Sequence, residues 1–160
     1  MEMTDTSSQA MSTLSAPHLN ELASSYLEAI LQGNRERAAE LIFDAIGNNT
    51  SIRDIYLDVF QPALHEVGRL WENNTISVAV EHFCTAATQM IMSQLYPLLF
   101  SGTIESKGLS VAACCVGNEL HEVGLRMVCD FFEMHGWDTN FMGSNCSTEA
   151  ILNNFASCHV

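Results

Sequence analysis

Two groups of residues in this sequence have types and spacing that could do chemistry. The first is Trp71 with Glu81 and His82. An aromatic plate beside a carboxylate and an imidazole suits one face of a large flat ligand. The plainer alternative is that Trp71 plugs the end of a helical bundle while Glu81 favours a helix N-terminus through the helix dipole. The second is the run Gly117-Asn118-Glu119-Leu120-His121-Glu122-Val123-Gly124. A neutral imidazole at His121 is a good ligand for a transition metal. Glu119 could accept the other ring N–H and so fix the tautomer. Gly124 keeps the following helix slim enough for something bulky to approach. The plain alternative is a strand-to-helix loop with an exposed polar histidine.

The elements that position these residues are legible from periodicity. Residues 1–16 are Ser/Thr/Met-rich and read as a loose tail. Apolar residues at Leu19, Leu22, Ala23, Tyr26, Leu27 and Ile30 mark one face of a helix from Pro17-His18 to about Leu31. A second helix spans about 35–46. A third, capped by Thr50 or Ser51, keeps helical spacing to Trp71, with a kink expected upstream of Pro62. A fourth runs from Ser77 to about Leu99, with Val80, Phe83, Cys84, Ala87, Met90, Ile91, Gln94, Leu95 and Leu98 inward. Short connections predict an antiparallel four-helix bundle over 17–100.

A linker follows at 101–108. Leu109 to Val116 is a glycine-bounded apolar run that reads as a buried parallel strand. A helix over about 121–135, a strand over 137–142 and a last helix capped by Ser147 complete a βαβα segment over 109–160. The fold class is therefore α plus α/β, a bundle followed by a partial Rossmann-like, flavodoxin-like unit. In such sheets ligands bind beyond the carboxyl ends of the strands. Both Glu119-His121 and the Gly143-Ser144-Asn145 turn fall there. Asn145 and Ser147 could equally serve only to cap the last helix.

Composition narrows the function. Nineteen acidic residues face six Lys plus Arg, a net charge of −13. Direct nucleic-acid binding is disfavoured, because phosphate neutralisation needs a cationic surface. Anionic membranes are disfavoured for the same reason. The acidic, polar start of the chain carries no secretory signal, so a cytoplasmic location is expected. Six cysteines form no Cys-x-x-Cys pair, which argues against structural zinc. His82 and Cys84 point roughly 200° apart on a helix, so they are not a joint metal site.

Trp71, nine residues, then Glu81-His82 resembles the Trp-x9-Glu-His motif in the helical cap of light-responsive, adenosylcobalamin-binding regulators of the CarH type. Glu119-x-His121-x-x-Gly124 is similar to their variant of the cobalamin family's Asp-x-His-x-x-Gly motif. The resemblance covers roughly residues 18 to 160. It implies a cobalamin cofactor, adenosylcobalamin or methylcobalamin, with His121 as lower cobalt ligand and Glu119 as its hydrogen-bond partner. It implies that Trp71, Glu81 and His82 cover the upper face, and that Gly124, Gly143 and Asn145 lie along the cofactor. The protein would then be a non-enzymatic sensor or photoreceptor in transcriptional control, with a possible homo-oligomer through the bundle. The alternatives are a corrinoid methyl carrier for a methyltransferase and a non-binding interaction remnant. The carrier needs an open upper face. The pattern departs from the family in Glu119 for Asp, in the absence of a preceding helix-turn-helix, and in two strand–helix units where a full domain has about five strands. The sequence therefore reads as truncated in its C-terminal part.

Overall fold

A computed structural model describes residues 16–100, 102 and 104–157. The expected tail at 1–16 falls, save for its last residue, outside the described residues, as does Cys158.

The chain opens with α1 (Ala16–Leu31) and α2 (Arg35–Gly47). Leu19, Leu22, Tyr26 and Ile30 of α1 are buried, as their spacing predicts. Asn34 caps α2 by accepting a hydrogen bond from Arg37 N at 3.0 Å. The expected third helix is three segments: α3 (Ile52–Asp54), a π turn (Ile55–Phe60) and α4 (Gln61–Glu72). Ser51 caps α3 through Asp54 N. Pro62 has no N–H to give to a carbonyl one turn earlier. The ladder slips by one residue, and Gln61 N donates to Tyr56 O instead. The kink expected near Pro62 is thus taken up as a wide turn.

The next helix, α5 (Val78–Leu95), is capped by Ser77 and ends earlier than expected. Pro97 again withdraws a donor, and Tyr96–Phe100 tighten into a 3-10 turn. Leu98, expected inward, is exposed on this turn, and Gln94, also expected inward, is exposed within α5 itself. Tyr26, Tyr56 and Phe60 form the aromatic centre of the helical half, with ring centroids 5.0 Å and 5.8 Å apart.

Strand β1 (Ser110–Cys114), helix α6 (Val123–Met134), strand β2 (Asp138–Gly143) and helix α7 (Thr148–Ser157) follow. The strands pair in parallel, Ser110 with Asp138 through Ala113 with Phe141, then slip so that Cys114 faces Gly143. The expectation of a fully buried strand is corrected: β1 is half-buried throughout. Among the described residues the sheet has two strands, so neither strand is flanked on both edges.

Helix α6 joins the two halves. Val123 and Met127 belong to the same buried apolar cluster as α1, α4 and α5. The Tyr56 hydroxyl donates to Asp130 Oδ2 at 2.7 Å, within the core. Burial and the neighbouring carboxylate push the Tyr56 hydroxyl well above its ordinary range, so it remains the donor. Burial also raises the Asp130 carboxyl, against the opposing pull of the Tyr56 hydrogen bond and Arg126. A raised native value means that Asp130's contribution is fully present in acid and is lost as pH rises through that value. Asp130→Asn keeps an acceptor for Tyr56 but cannot ionise. Relative to this variant, the wild type is expected to lose stability as pH rises above the ordinary aspartate range, from about pH 4 upward. Urea unfolding of both proteins across that range measures the difference.

Candidate functional site

Between the two halves lies a cleft of about 440 Å³. One wall is α4, which presents Leu64, His65, Gly68 and Trp71. Glu81 and Thr85 of α5 stand beside it. The opposite wall is His121 with Val123, Gly124, Met127, Val128 and Phe131 of the α6 region. Four residues singled out from the sequence, Trp71, Glu81, His121 and Gly124, therefore share one cleft.

Trp71 ends α4 one residue before its last position, and it keeps 40% of its surface exposed. Glu81 is buried in the first turn of α5. Its Oε1 accepts from Thr85 Oγ1 at 2.9 Å, and its Oε2 lies 2.5 Å from His82 Nδ1. His82 itself does not line the cleft. Consecutive helical residues point about 100° apart, so with Glu81 inward, His82 turns to solvent with its side chain 75% exposed. It reaches the site only through Glu81. Cys84 is fully buried on yet another side, which separates it from His82 as expected. Burial first, and the Glu81 charge second, push its thiol up to about 11.

The loop between β1 and α6 places His121 at the carboxyl end of the strand. Glu119 Oε1 accepts from His121 N at 2.7 Å and lies 2.6 Å from His121 Nδ1. The backbone hydrogen bond, then the ring, hold the Glu119 carboxyl below its ordinary value. A carboxylate at Nδ1 selects the tautomer that carries its proton there and leaves Nε2 with a free lone pair. Among the described residues, no group of three or more His, Cys, Asp or Glu converges as a metal cage.

Gly143 ends β2 and Asn145 lies just beyond it, and neither lines the cleft. Gly143 O accepts from Cys115 N at 2.9 Å. Asn145 is exposed, with φ 59°. Ser147 Oγ accepts from Ala150 N, the capping role that the sequence left open.

Sequence reasoning passed over Glu122. Its Oε2 accepts from Ser144 N at 3.0 Å, and its Oε1 accepts from Gln89 Nε2 of α5 at 3.3 Å. A side chain at Gly143 would begin 2.8 Å from Oε2, so the glycine makes room for this brace. Glu122 thus ties the strand ends to the helical half beside His121. Its partners lie far away in sequence, and nothing in the spacing announces them. Gly68 and Thr85 were passed over too, and His65 was set aside as solvent-facing or packed near the bundle end. His65 and Gly68 share a helical stripe with Trp71, and that periodicity was the available signal.

With this geometry in view, comparison with known proteins is specific for the helical half. Residues 22–96 match the B12 binding domain family. The matched span contains Trp71, Glu81 and His82 and stops short of Glu119. The chain is 28% identical over 109 residues to the HTH-type transcriptional repressor CarH of Myxococcus xanthus, a match over 68% of this chain and 35% of that protein. In structure it resembles the monomethylamine corrinoid protein of Methanosarcina barkeri (TM-score 0.72, 21% identity, 85% of this chain and 63% of that one). It also resembles a chain of the methanol:cobalamin methyltransferase complex MtaBC of Methanosarcina barkeri (TM-score 0.52, 19% identity, 93% and 59%). The chain thus spans about a third of the regulator's length and under two thirds of either solved chain. The B12 binding domain match falls within the helical region, and the likeness to the monomethylamine corrinoid protein supports a helical region followed by a short parallel βαβα segment. Among the described residues, no helix is long and apolar enough to cross a membrane.

Proposed function

We propose that the chain is a cobalamin-binding sensor module whose packing reports what occupies the cleft. The observation that carries this reading is the convergence of Trp71 and Glu81 from the helical half with His121 and Gly124 from the strand half on one cleft. The donor set fits the cofactor. A corrin ring carries its own cobalt, so the protein would need to offer a single donor rather than a cage, and His121 Nε2 would be that donor. The cleft as a whole is mainly apolar with a few polar groups, as small-ligand clefts are.

When bound, adenosylcobalamin would supply a cobalt–carbon bond that light breaks. The chain's own residues do the rest. Glu119 holds the His121 ring through Nδ1 and leaves Nε2 turned to the ligand. Trp71 covers the opposite side with an aromatic face. Glu81, held by Thr85 and His82, offers a fixed acceptor for ligand hydroxyl or amino hydrogens. Glu122 braces the His121 loop against Gln89, so a change in the cleft is felt in α5. Differential occupancy of the cleft then biases the packing of the two halves. We assign the helical region 17–100 as the cap and 109–160 as the corrinoid-side unit.

One observation favours the methyl-carrier alternative. Trp71 is partly exposed and His82 faces solvent, which leaves the helical wall open to a partner.

A titration with adenosylcobalamin in the dark, followed by green light, separates the readings. Spectra are recorded alongside the protein's elution volume. A His-on spectrum that light converts, with a shift in elution, is expected. Binding with no light-driven change in the protein would favour the carrier. No retained cobalamin after desalting would refute both.

A further inference from the structure

The α4 wall of the cleft has a notch. Leu64 and His65 stand one turn before Gly68, and Trp71 and Glu72 one turn after it. Side chains at this spacing form a continuous ridge on a helix. Gly68 interrupts it at mid-helix and mid-wall. The backbone does not require glycine there, because Gly68 is not among the positive-φ glycines. Packing does not require it either: a Cβ at Gly68 would meet no heavy atom within 4 Å, although the residue is half-buried. A glycine inside a helix lowers helix stability relative to alanine. The missing side chain therefore serves the open space of the cleft.

We infer that Gly68 is a specificity-determining position, whose notch lets the helical wall admit a cobalamin with a nucleoside-sized upper group. This rests on the cobalamin reading above. The chemistry of the wall narrows the group further. Glu81 is buried beside the notch and Glu72 lies at its edge. Two carboxylates disfavour an anionic occupant and suit an uncharged one that carries hydroxyl or amino hydrogens. A water- or hydroxide-sized upper ligand leaves the notch empty.

The test titrates the full chain in the dark with adenosylcobalamin and, separately, with hydroxocobalamin. Wild type, Gly68→Ala and Gly68→Leu are compared. The readout is the ratio of the two affinities. Gly68→Leu is expected to shift that ratio about tenfold or more against adenosylcobalamin, with Gly68→Ala intermediate. The thermal midpoints of the ligand-free variants are expected at or above wild type, because each substitution improves helix propensity. An unchanged ratio in both variants would overturn the inference, whether affinities fall together or not at all. If wild type binds neither cobalamin, the cobalamin reading itself fails, and that result is distinct from an unchanged ratio.

Discussion

In a His121→Ala variant, adenosylcobalamin titrated in the dark is expected to give no His-on spectrum and to be lost on desalting. The structure gives His121 little else to do. Its side chain is 69% exposed, and its polar partner is Glu119, itself half exposed. Exposed substitutions of this kind change stability by about 0.5 kcal/mol or less. Loss of binding would therefore report lost ligation rather than lost fold. Removing the hydrogen-bond partner of a metal-bound histidine typically costs about 10- to 100-fold in affinity. Removing the ligand itself is expected to cost about 100-fold or more, with Glu119→Ala in the lower range. His65 is the other imidazole on the cleft. If His121→Ala kept the His-on spectrum and His65→Ala abolished it, the ligand assignment would pass to α4.

Much of the scaffold around that ligand was legible in advance, for reasons that differ by element. The buried face of α1 follows from local spacing alone. The order bundle, strand, helix, strand, helix followed from a change in hydrophobic period near residue 108. The π turn at Ile55–Phe60 was less legible. Pro62 announces that a donor is missing but not whether the helix will bend or widen. Pro97 announces the end of α5, yet the apolar pattern continued past it and extended the expected helix to Leu99. In the site, Trp71, Glu81 and His121 were visible as types at a spacing. The division of labour between Glu81 and His82 was not, because it depends on which of two adjacent residues faces inward. The Glu122 brace depends on contacts 22 and 33 residues away, and no local pattern encodes these.

Gly136 illustrates the same limit, and it carries the largest expected effect on stability. From sequence it is a helix stop after α6. In the structure a Cβ at Gly136 would sit 2.1 Å from Glu105 O and 3.2 Å from Glu105 C. Both are backbone atoms, so no side chain can swing aside. Gly136 O also accepts from Lys107 N at 2.8 Å, and Asp138 N donates to Leu109 O at 2.9 Å. These bonds begin the parallel pairing ahead of Ser110 and Asp138. Relieving the clash pulls the 105–107 segment away from Gly136 and undoes the entry to the sheet. Gly108 isolates the steric part. It too is left-handed, at φ 63° against 82° for Gly136, but a Cβ there meets nothing within 4 Å. Gly108→Ala is expected to cost about 1 kcal/mol, the conformational penalty alone. Gly136→Ala adds overpacking against rigid backbone and is expected to cost about 3 kcal/mol or more. Urea unfolding of the two variants beside wild type measures both. Equal costs would mean that the 105–107 segment yields freely and that the close approach does not hold the sheet. A large excess for Gly136→Ala would place that approach among the contacts that keep β1, and with it the His121 loop, in register.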